Sequence, residues 1–413
     1  MRKLSFGLAI GFVLVACGGG GEEAQPPKAP EPVATAPAPT VSATAEAPKE
    51  EPKKESPAEL QAKTLKAYGE ALNAHDAKKL AGLYADNAVV KVAGAPDSTG
   101  RDAIAASYQK LFDAFSNYKS APSRIFTKND VAVVEWAFNG THSGDLWGIK
   151  ATEKPVGAQG VDVFWFDDKG QIKEQHVYYD GNTILAQAGV SKHKARPIPA
   201  LPTAMPQPVT SSGSPEEQKN VDAVKAMDAA LESKKEADFL ATVADNVEYD
   251  DMTQPQTMKG KADAKKFFKE MTTAFPDAKF QVVNSWGFGD IVVAEGSMTG
   301  TNKGAFFGMP ATKKPLSMKS IDIYQFKDGK LVHGWSYGNG ADMMMQLGLM
   351  PQPKAGDAKA GDAKAGDAKA GDAKKAPATG DAKATDKKAA PAAGDTKAAP
   401  TEKKPADKAA PKK

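Results

Sequence analysis

Two stretches of the chain repeat one another and decide the fold. The first is GTHSGDLWGIKATEKPVGAQGVDVFWFDDKGQIKEQHVY, residues 140–178, and the second is GTNKGAFFGMPATKKPLSMKSIDIYQFKDGKLVHGWSY, residues 300–337. Matching glycine, proline, aspartate and phenylalanine positions lie 160 residues apart, as in the pair Asp162 and Asp322. A repeat kept at a fixed offset predicts two homologous domains in tandem.

The periodicity around the repeats predicts the same elements in both copies. In the first copy, helical spacing predicts helices over 58–74 and 101–117, and Asp76 is expected to cap a short helix between them. Alternation of period two then predicts strands near 123–128, 131–139, 158–167 and 171–179. In the second copy, strands are expected at about 279–285, 290–299, 317–326 and 330–337. This order predicts an α+β fold, in which each domain is a curved antiparallel sheet packed on about three helices.

Composition divides the 413 residues into six segments. The expected boundaries are 1–17 for a signal peptide, 18–57 for a disordered Pro/Ala-rich linker, 58–190 for domain one, 191–214 for a Pro-rich linker, 215–351 for domain two and 352–413 for a disordered Lys/Ala/Asp repeat tail. The tail is interpreted as a solvated segment, and the alternative is a basic arm that touches an anionic surface. The net charge of +3 does not indicate a nucleic-acid partner.

The N-terminus has the pattern of an export signal. Arg2 and Lys3 precede a short apolar run that ends in Leu-Val-Ala-Cys17, which resembles a bacterial lipobox. The resemblance implies cleavage before Cys17, acylation of that residue and a lipid anchor in the cell envelope, with outer-membrane sorting because Gly18 follows. The alternative is an ordinary signal peptide with an incidental cysteine. Since Cys17 is the only cysteine, an intrachain disulfide and a cysteine-rich zinc site are excluded.

Several stretches of the second copy carry a family resemblance. They are AFPDAKF, GSMTGTNKGAFFGMPATKKP, IDIYQFKDGKLVHGW and QLGLMP. Both copies resemble the SnoaL-like family, also called the ester-cyclase or polyketide-cyclase-like group, of the nuclear transport factor two-like superfamily. The resemblance implies a cone in which a bent sheet wraps around helices and leaves an apolar pocket at its open end. The family contains cyclases, isomerases, dehydratases and non-enzymatic binders, so the fold alone does not decide the chemistry.

The resemblance also locates the candidate catalytic positions. In the cyclases, two polar groups on adjacent strands face the pocket, and one of them is an acid/base aspartate. The first position falls here on Asp162 and Asp322, and the second falls on Val177 and Ser336, which are not acidic. This departure argues against the cyclase reaction. Asp162 and Asp322 are then interpreted as structural residues, with ligand anchoring and catalysis as the alternatives.

Strand alternation assigns the faces of each predicted sheet. Residues on the side of Asp162 and Asp322 are expected to line the two pockets: Phe164, Phe166, Val177, Tyr179, Tyr324, Phe326 and Ser336. The opposite side carries aromatic residues, among them Trp165, Tyr178, Trp335 and Tyr337. Because such a face is rarely left in water, the two sheets are expected to pack face to face as an intrachain pseudo-dimer.

The sequence does not indicate metal binding, phosphate binding or nucleophilic catalysis. His142 is interpreted as a solvated turn residue, no His/Asp/Glu cluster has metal spacing, and neither a phosphate loop nor a nucleophile elbow occurs. No metal and no cofactor are therefore expected. The favoured function is a lipid-anchored protein that binds a small hydrophobic molecule without catalysis. The alternatives are a cyclase or isomerase that uses Asp322 with Ser336 or Tyr337, and an envelope scaffold whose cones are filled by side chains.

Overall fold

The computed structural model describes residues 55–350. The predictions for the signal peptide, Cys17, nearly all of the first linker and the repeat tail lie outside the described residues. Among residues 55–350, no helix is long and apolar enough to cross a membrane.

Domain one contains four helices and the strands of one sheet. The helices are α1 (Pro57–Asn73), α2 (Ala77–Ala81), α3 (Arg101–Ala114) and α4 (Gly181–Gln187). The strands are β1 (Tyr84–Val92), β2 (Ser98–Thr99), β3 (Lys119–Lys128), β4 (Val131–Thr141), β5 (Pro155–Phe166), β6 (Ile172–Tyr179) and β7 (Val209–Thr210). Their order in the sheet is β2-β1-β6-β5-β4-β3-β7.

Domain two repeats this arrangement. Its helices are α5 (Pro215–Glu232), α6 (Glu236–Thr242), α7 (Gly260–Ala274) and α8 (Gly340–Gln346). Its strands are β8 (Val243–Asp251), β9 (Met258–Lys259), β10 (Lys279–Phe288), β11 (Ile291–Thr301), β12 (Pro315–Lys327) and β13 (Lys330–Gly338). Their order is β10-β11-β12-β13-β8-β9, with β8 parallel to β13 as β1 is to β6.

The predicted α+β class and the two tandem domains are confirmed, with local corrections. Each domain has four helices rather than about three, because a short helix follows the last long strand. Asp180 caps the first of these, accepting hydrogen bonds from the amides of Asn182 and Thr183. The short helix that Asp76 was predicted to cap is present, and it ends at Ala81 because Tyr84 already begins β1.

Each sheet has two buried faces. The inner faces pack on the helices and form the separate cores of the two domains. The outer faces form a third apolar cluster with members from both domains, including Val163, Tyr178, Ile321 and Tyr337. Polar contacts accompany this cluster, since the Tyr178 hydroxyl donates to Glu295.

The Pro-rich segment 191–214 contacts both domains. Its strand β7 pairs with β3 of domain one. Arg196 forms an ion pair with Asp250 of domain two, with 2.9 Å between Nη2 and Oδ1. The segment therefore follows a defined path between the domains.

Candidate functional site

Domain two contains a partly open cavity of about 200 Å³. It lies between helices α5 to α7 and the inner face of the sheet. Most of its wall is apolar, with aromatic and methionine side chains such as Met227, Phe239, Phe267, Met298 and Phe306. Its polar side chains are few, and they include Asp228, Tyr249, Asp251, Asp322 and Ser336.

The strand register brings three of these polar residues into one row. Ser336 on β13 lies opposite Asp322 on β12 and opposite Asp251 on β8. Residues directly opposite one another on paired strands point to the same face of a sheet. Asp228 reaches the cavity from helix α5. The carboxyl groups therefore approach the cavity from the sheet and from a helix.

These carboxyl groups have different hydrogen-bond partners. Asp322 accepts from the Tyr249 hydroxyl at 3.2 Å and from the Ser320 hydroxyl at 3.3 Å. Asp251 accepts from the amide and the hydroxyl of Thr253 at 2.9 and 2.7 Å. Within residues 55–350, neither a hydrogen bond nor an ion pair reaches the Asp228 carboxylate. Asp228 is thus the carboxyl group most available to a bound molecule.

The low polarity of the cavity raises the pKa values of these groups. Burial raises the pKa of Asp322 to about 6. Burial, together with the charges of Asp322 and Glu232, raises the pKa of Asp228 to about 7. Burial also raises the pKa of Asp251, and it holds the pKa of Tyr249 well above its ordinary value. Near neutral pH the cavity therefore contains carboxyl groups that can gain or lose a proton and a phenol that keeps its own.

The residues predicted for this pocket are found in two environments. Asp322, Tyr324 and Ser336 line the cavity, whereas Phe326 is part of the hydrophobic core of domain two. Two glycines on β13, on the same face as Ser336, do not enlarge the cavity. A Cβ on Gly334 would lie 2.4 Å from the ring of Tyr249, and one on Gly338 would lie 2.4 Å from Cε of Met318. Both glycines serve to let another side chain lie against the sheet.

The equivalent region of domain one is filled by side chains. The hydroxyl of Tyr108 lies 2.7 Å from that of Tyr68 and 2.9 Å from that of Tyr84. The Gln175 amide donates to Asp162 Oδ2 at 3.0 Å and to the Tyr68 hydroxyl at 3.1 Å. This network occupies the space between the helices and the sheet.

Domain one therefore differs from the expectation of a second pocket. Phe164 and Phe166 are each 1% exposed, and Val177 and Tyr179 pack against the same core. Burial raises the pKa of Asp162 to about 7. Among the described residues, Asp162 Oδ1 has no hydrogen-bond partner. The residues predicted to line this pocket thus form packed core around a buried carboxyl group.

Several aligned positions differ between the domains. Three large side chains of domain one correspond to glycines of domain two, namely Trp136 to Gly296, Gln175 to Gly334 and Tyr179 to Gly338. Two uncharged residues of domain one correspond to aspartates, namely Gly69 to Asp228 and Val92 to Asp251. Sequence reasoning missed Asp228 and Asp251. The alignment of DNVEYD with DNAVVK, extended by one residue, would have shown an aspartate opposite Val92. Asp228 gave no signal, because a single charge on an amphipathic helix is typical of a solvated face.

The interpretation of His142 as a solvated residue is wrong. Its side chain is fully buried, and Nδ1 lies 3.1 Å from the Thr152 hydroxyl oxygen. Asn302 is equally buried at the matching position and accepts a hydrogen bond from the amide of Thr312 at 2.8 Å. Each residue makes hydrogen bonds within the loop that follows β4 in domain one or β11 in domain two, which explains its burial.

Known proteins resemble the chain one domain at a time. The family model described as SnoaL-like polyketide cyclase matches residues 62–188 and 221–347. No curated protein is significantly similar to the chain.

Three solved structures illustrate the similarity. A SnoaL-like protein from Jannaschia sp. CCS1 is 20% identical over 33% of this chain and 97% of its own, with a TM-score of 0.31. TsrD from Streptomyces laurentii is 18% identical over 33% of this chain and 100% of its own, with a TM-score of 0.31. An LEH-like epoxide hydrolase from M. tuberculosis is 16% identical over 33% of this chain and 93% of its own, with a TM-score of 0.28.

The two matches to the family model together cover more than half of the 413 residues. They fall on the two domains described above. The chain therefore belongs to the SnoaL-like polyketide cyclase family, of which it contains two tandem domains.

Proposed function

We propose that domain two is a binding site for a small, largely apolar molecule and that domain one is its filled structural counterpart. The observation that carries this proposal is the contrast between the two cones. One holds a cavity of about 200 Å³, and in the other Tyr68, Tyr108 and Gln175 occupy the equivalent space. A cavity that serves no purpose lowers stability, because its lining loses packing contacts.

The size and lining of the cavity limit the ligand. An apolar cavity of about 150 Å³ is enough to admit benzene. The cavity of domain two therefore accepts a molecule with one substituted ring or an aliphatic body of similar size. The few polar groups at one side would fix its orientation.

The proposal is tested by filling the cavity. Ala264 lies on α7 and lines the cavity, whereas Ala262 on the same helix is exposed. We expect the full chain to bind ethylbenzene in isothermal titration calorimetry, Ala264→Phe to lose this binding and Ala262→Phe to keep it. Equal binding by both variants, or no binding of small apolar probes by the unaltered chain, would refute the proposal.

Acid–base catalysis is a second candidate, favoured by the state of Asp228. Its carboxyl group has a pKa of about 7 and no hydrogen bond among the described residues, and it shares the cavity with Asp322. A carboxyl group that titrates near neutral pH in an apolar site can remove a proton next to a carbonyl, and a neighbouring acid can stabilise the resulting oxyanion.

The catalytic candidate makes a separate prediction. The chain should accelerate hydrogen–deuterium exchange next to the carbonyl of a cyclic ketone, measured by NMR. Asp228→Asn should remove that acceleration while ethylbenzene binding is retained. Exchange at the uncatalysed rate would dismiss catalysis and leave the binding proposal intact.

We further propose that the chain is anchored in a bacterial envelope membrane through Cys17. The support is the sequence Leu-Val-Ala-Cys17 after a short apolar run. Metabolic labelling with an alkyne-bearing fatty acid should mark the expressed chain, and Cys17→Ser should abolish the label. A labelled serine variant, or an unlabelled parent, would contradict the anchor.

A further inference from the structure

We propose, building on the proposed function, that the ligand of domain two is an apolar cation, a molecule whose ammonium group lies among Asp228, Asp251 and Asp322. Three carboxyl side chains enter one cavity, and its wall includes no lysine, arginine or histidine from residues 55–350. The cavity thus has a mostly apolar wall, and no residue of that wall balances its negative charge.

The hydrogen bonds inside the cavity leave this charge uncompensated. Within residues 55–350, the carboxylates of Asp322 and Asp251 accept from neutral groups alone, namely hydroxyls and one backbone amide. Arg196 lies beside Asp251, with Nε 3.3 Å from its carbonyl oxygen, but its guanidinium forms an ion pair with Asp250, which is not part of the wall. Ionised carboxylates in an apolar site need a cation or a proton. An ammonium ion supplies that partner without reorganising the wall.

The aromatic part of the wall suits an ammonium ion as well. Four aromatic rings follow one another with centroid distances of 6.5 Å for Tyr249–Phe267, 6.3 Å for Phe267–Phe307 and 4.3 Å for Phe306–Phe307. Ring faces attract cations, and they do so more strongly where water is excluded. A ligand with alkyl groups on nitrogen would contact rings and carboxylates at once.

The charged groups around the cavity predict how binding depends on pH. Glu295 also borders the cavity, but its carboxylate accepts from His176, Tyr178 and Asn284 on the outer side of the sheet. Among the described residues, the groups that titrate inside are Asp228, Asp251 and Asp322, since Tyr249 keeps its proton. The charge of Glu232 also acts on Asp228, and the charges of Asp180 and Arg196 act on Asp251. With pKa values of about 7 and about 6, Asp228 and Asp322 gain protons as the pH falls below neutral, and this removes charge that holds the cation.

A pair of isosteric probes tests the proposal. Benzyltrimethylammonium and neopentylbenzene have nearly the same shape and differ in the central atom of the branched group, nitrogen or carbon. In titration calorimetry with the full chain at pH 8, we expect the cation to bind at least about tenfold more tightly. This preference should fall steeply at pH 5, where the quaternary probe keeps its charge and Asp228 and Asp322 are largely protonated.

Variants of the aspartates identify the carboxyl groups that bind the cation. Asp228→Asn and Asp322→Asn should each weaken binding of the cation and leave binding of neopentylbenzene unchanged. The matched control is Asp162→Asn, the same change at the equivalent strand position of domain one, which should affect neither probe. The pH comparison needs no variant, so it decides the question even where a variant fails to fold.

The outcomes separate the two proposals. If both probes bind equally at pH 8, the cation inference is overturned and the apolar site of domain two stands. If neither probe binds, the proposed function itself fails. A preference for the cation that is undiminished at pH 5, or in both aspartate variants, would place the cation outside this cavity and would also overturn the inference.

Discussion

Ionisation of a carboxyl group that faces an apolar cavity costs free energy, and Asp228 is such a group. Its pKa is raised from 3.8 to about 7 by burial and by the negative charges of Asp322 and Glu232. Because the folded state holds the proton more tightly than the unfolded state, stability from this group is fully present below about pH 4. It is lost as pH rises to about 7.

Replacing Asp228 should therefore stabilise the chain in a pH-dependent way. We expect Asp228→Asn to raise the free energy of unfolding at pH 8 by on the order of 2 kcal/mol, after allowing for partial contact with water. Little gain is expected at pH 4. The measurement is urea unfolding of the full chain at both values. Asp222→Asn, the same change at an exposed position of α5, is the control and should show no such gain. A gain that is equal at pH 4 and pH 8 would show that ionisation is not its cause.

At the scale of elements, the cap of the short helix α4 contributes to contacts in both domains. Asp180 caps α4 through the amide of Thr183 at 2.8 Å and also accepts from the amide of Gly340 at the start of α8, at 2.9 Å. Its side chain is 1% exposed. One carboxylate therefore accepts hydrogen bonds from the N-termini of two helices, one in each domain.

The loss of this cap should cost more than the loss of an exposed one. Asp180→Ala leaves buried amides without an acceptor, so we expect a loss of about 3 kcal/mol in the free energy of unfolding. Asp76→Ala at the exposed N-terminus of α2 should cost about 1 kcal/mol. Chemical denaturation of both variants gives the comparison. Equal losses would mean that the contact with Gly340 contributes nothing.

The same elements show what the sequence could and could not predict. The long strands follow alternation of period two, so the fold class and the pairing of Asp322 with Ser336 could be predicted. Helices of seven residues such as α4 and α8 carry too few apolar positions to show a period. The filling of domain one could not be predicted either. It depends on how Gln175 and Tyr108 orient their side chains across the core, and strand or helix spacing does not encode that orientation.

At the scale of the whole molecule, we propose that the two domains form an intrachain pseudo-dimer through their outer sheet faces. Glu135 and Glu295 occupy equivalent positions and accept hydrogen bonds from Tyr337 and Tyr178 of the opposite domain. Their cationic partners differ. Arg124 pairs with Glu135 within domain one, whereas His176 reaches across from domain one to Glu295.

This difference predicts a pH-dependent contact between the domains. Burial lowers the pKa of His176, but hydrogen bonds and charge from Glu295 and Glu174 outweigh burial and raise it above 6.5. The stabilisation is therefore full below about pH 6.5 and is lost as pH rises through the higher folded value. We expect His176→Gln to lower the free energy of unfolding more at pH 6 than at pH 9. Glu135→Gln is the control, and its cost should not vary over this range because Arg124 stays charged. An equal cost of His176→Gln at both pH values would contradict this interpretation of the contact.

The central claim is that one domain is hollow and the other is filled, and xenon tests it most directly because this atom enters largely apolar cavities. In a crystal of the chain pressurised with xenon, we predict anomalous density between α5, α7 and the sheet of domain two. We predict none among Tyr68, Tyr108 and Gln175 of domain one. Xenon in domain one, or its absence from the cavity that Asp228 and Asp322 line, would contradict the account.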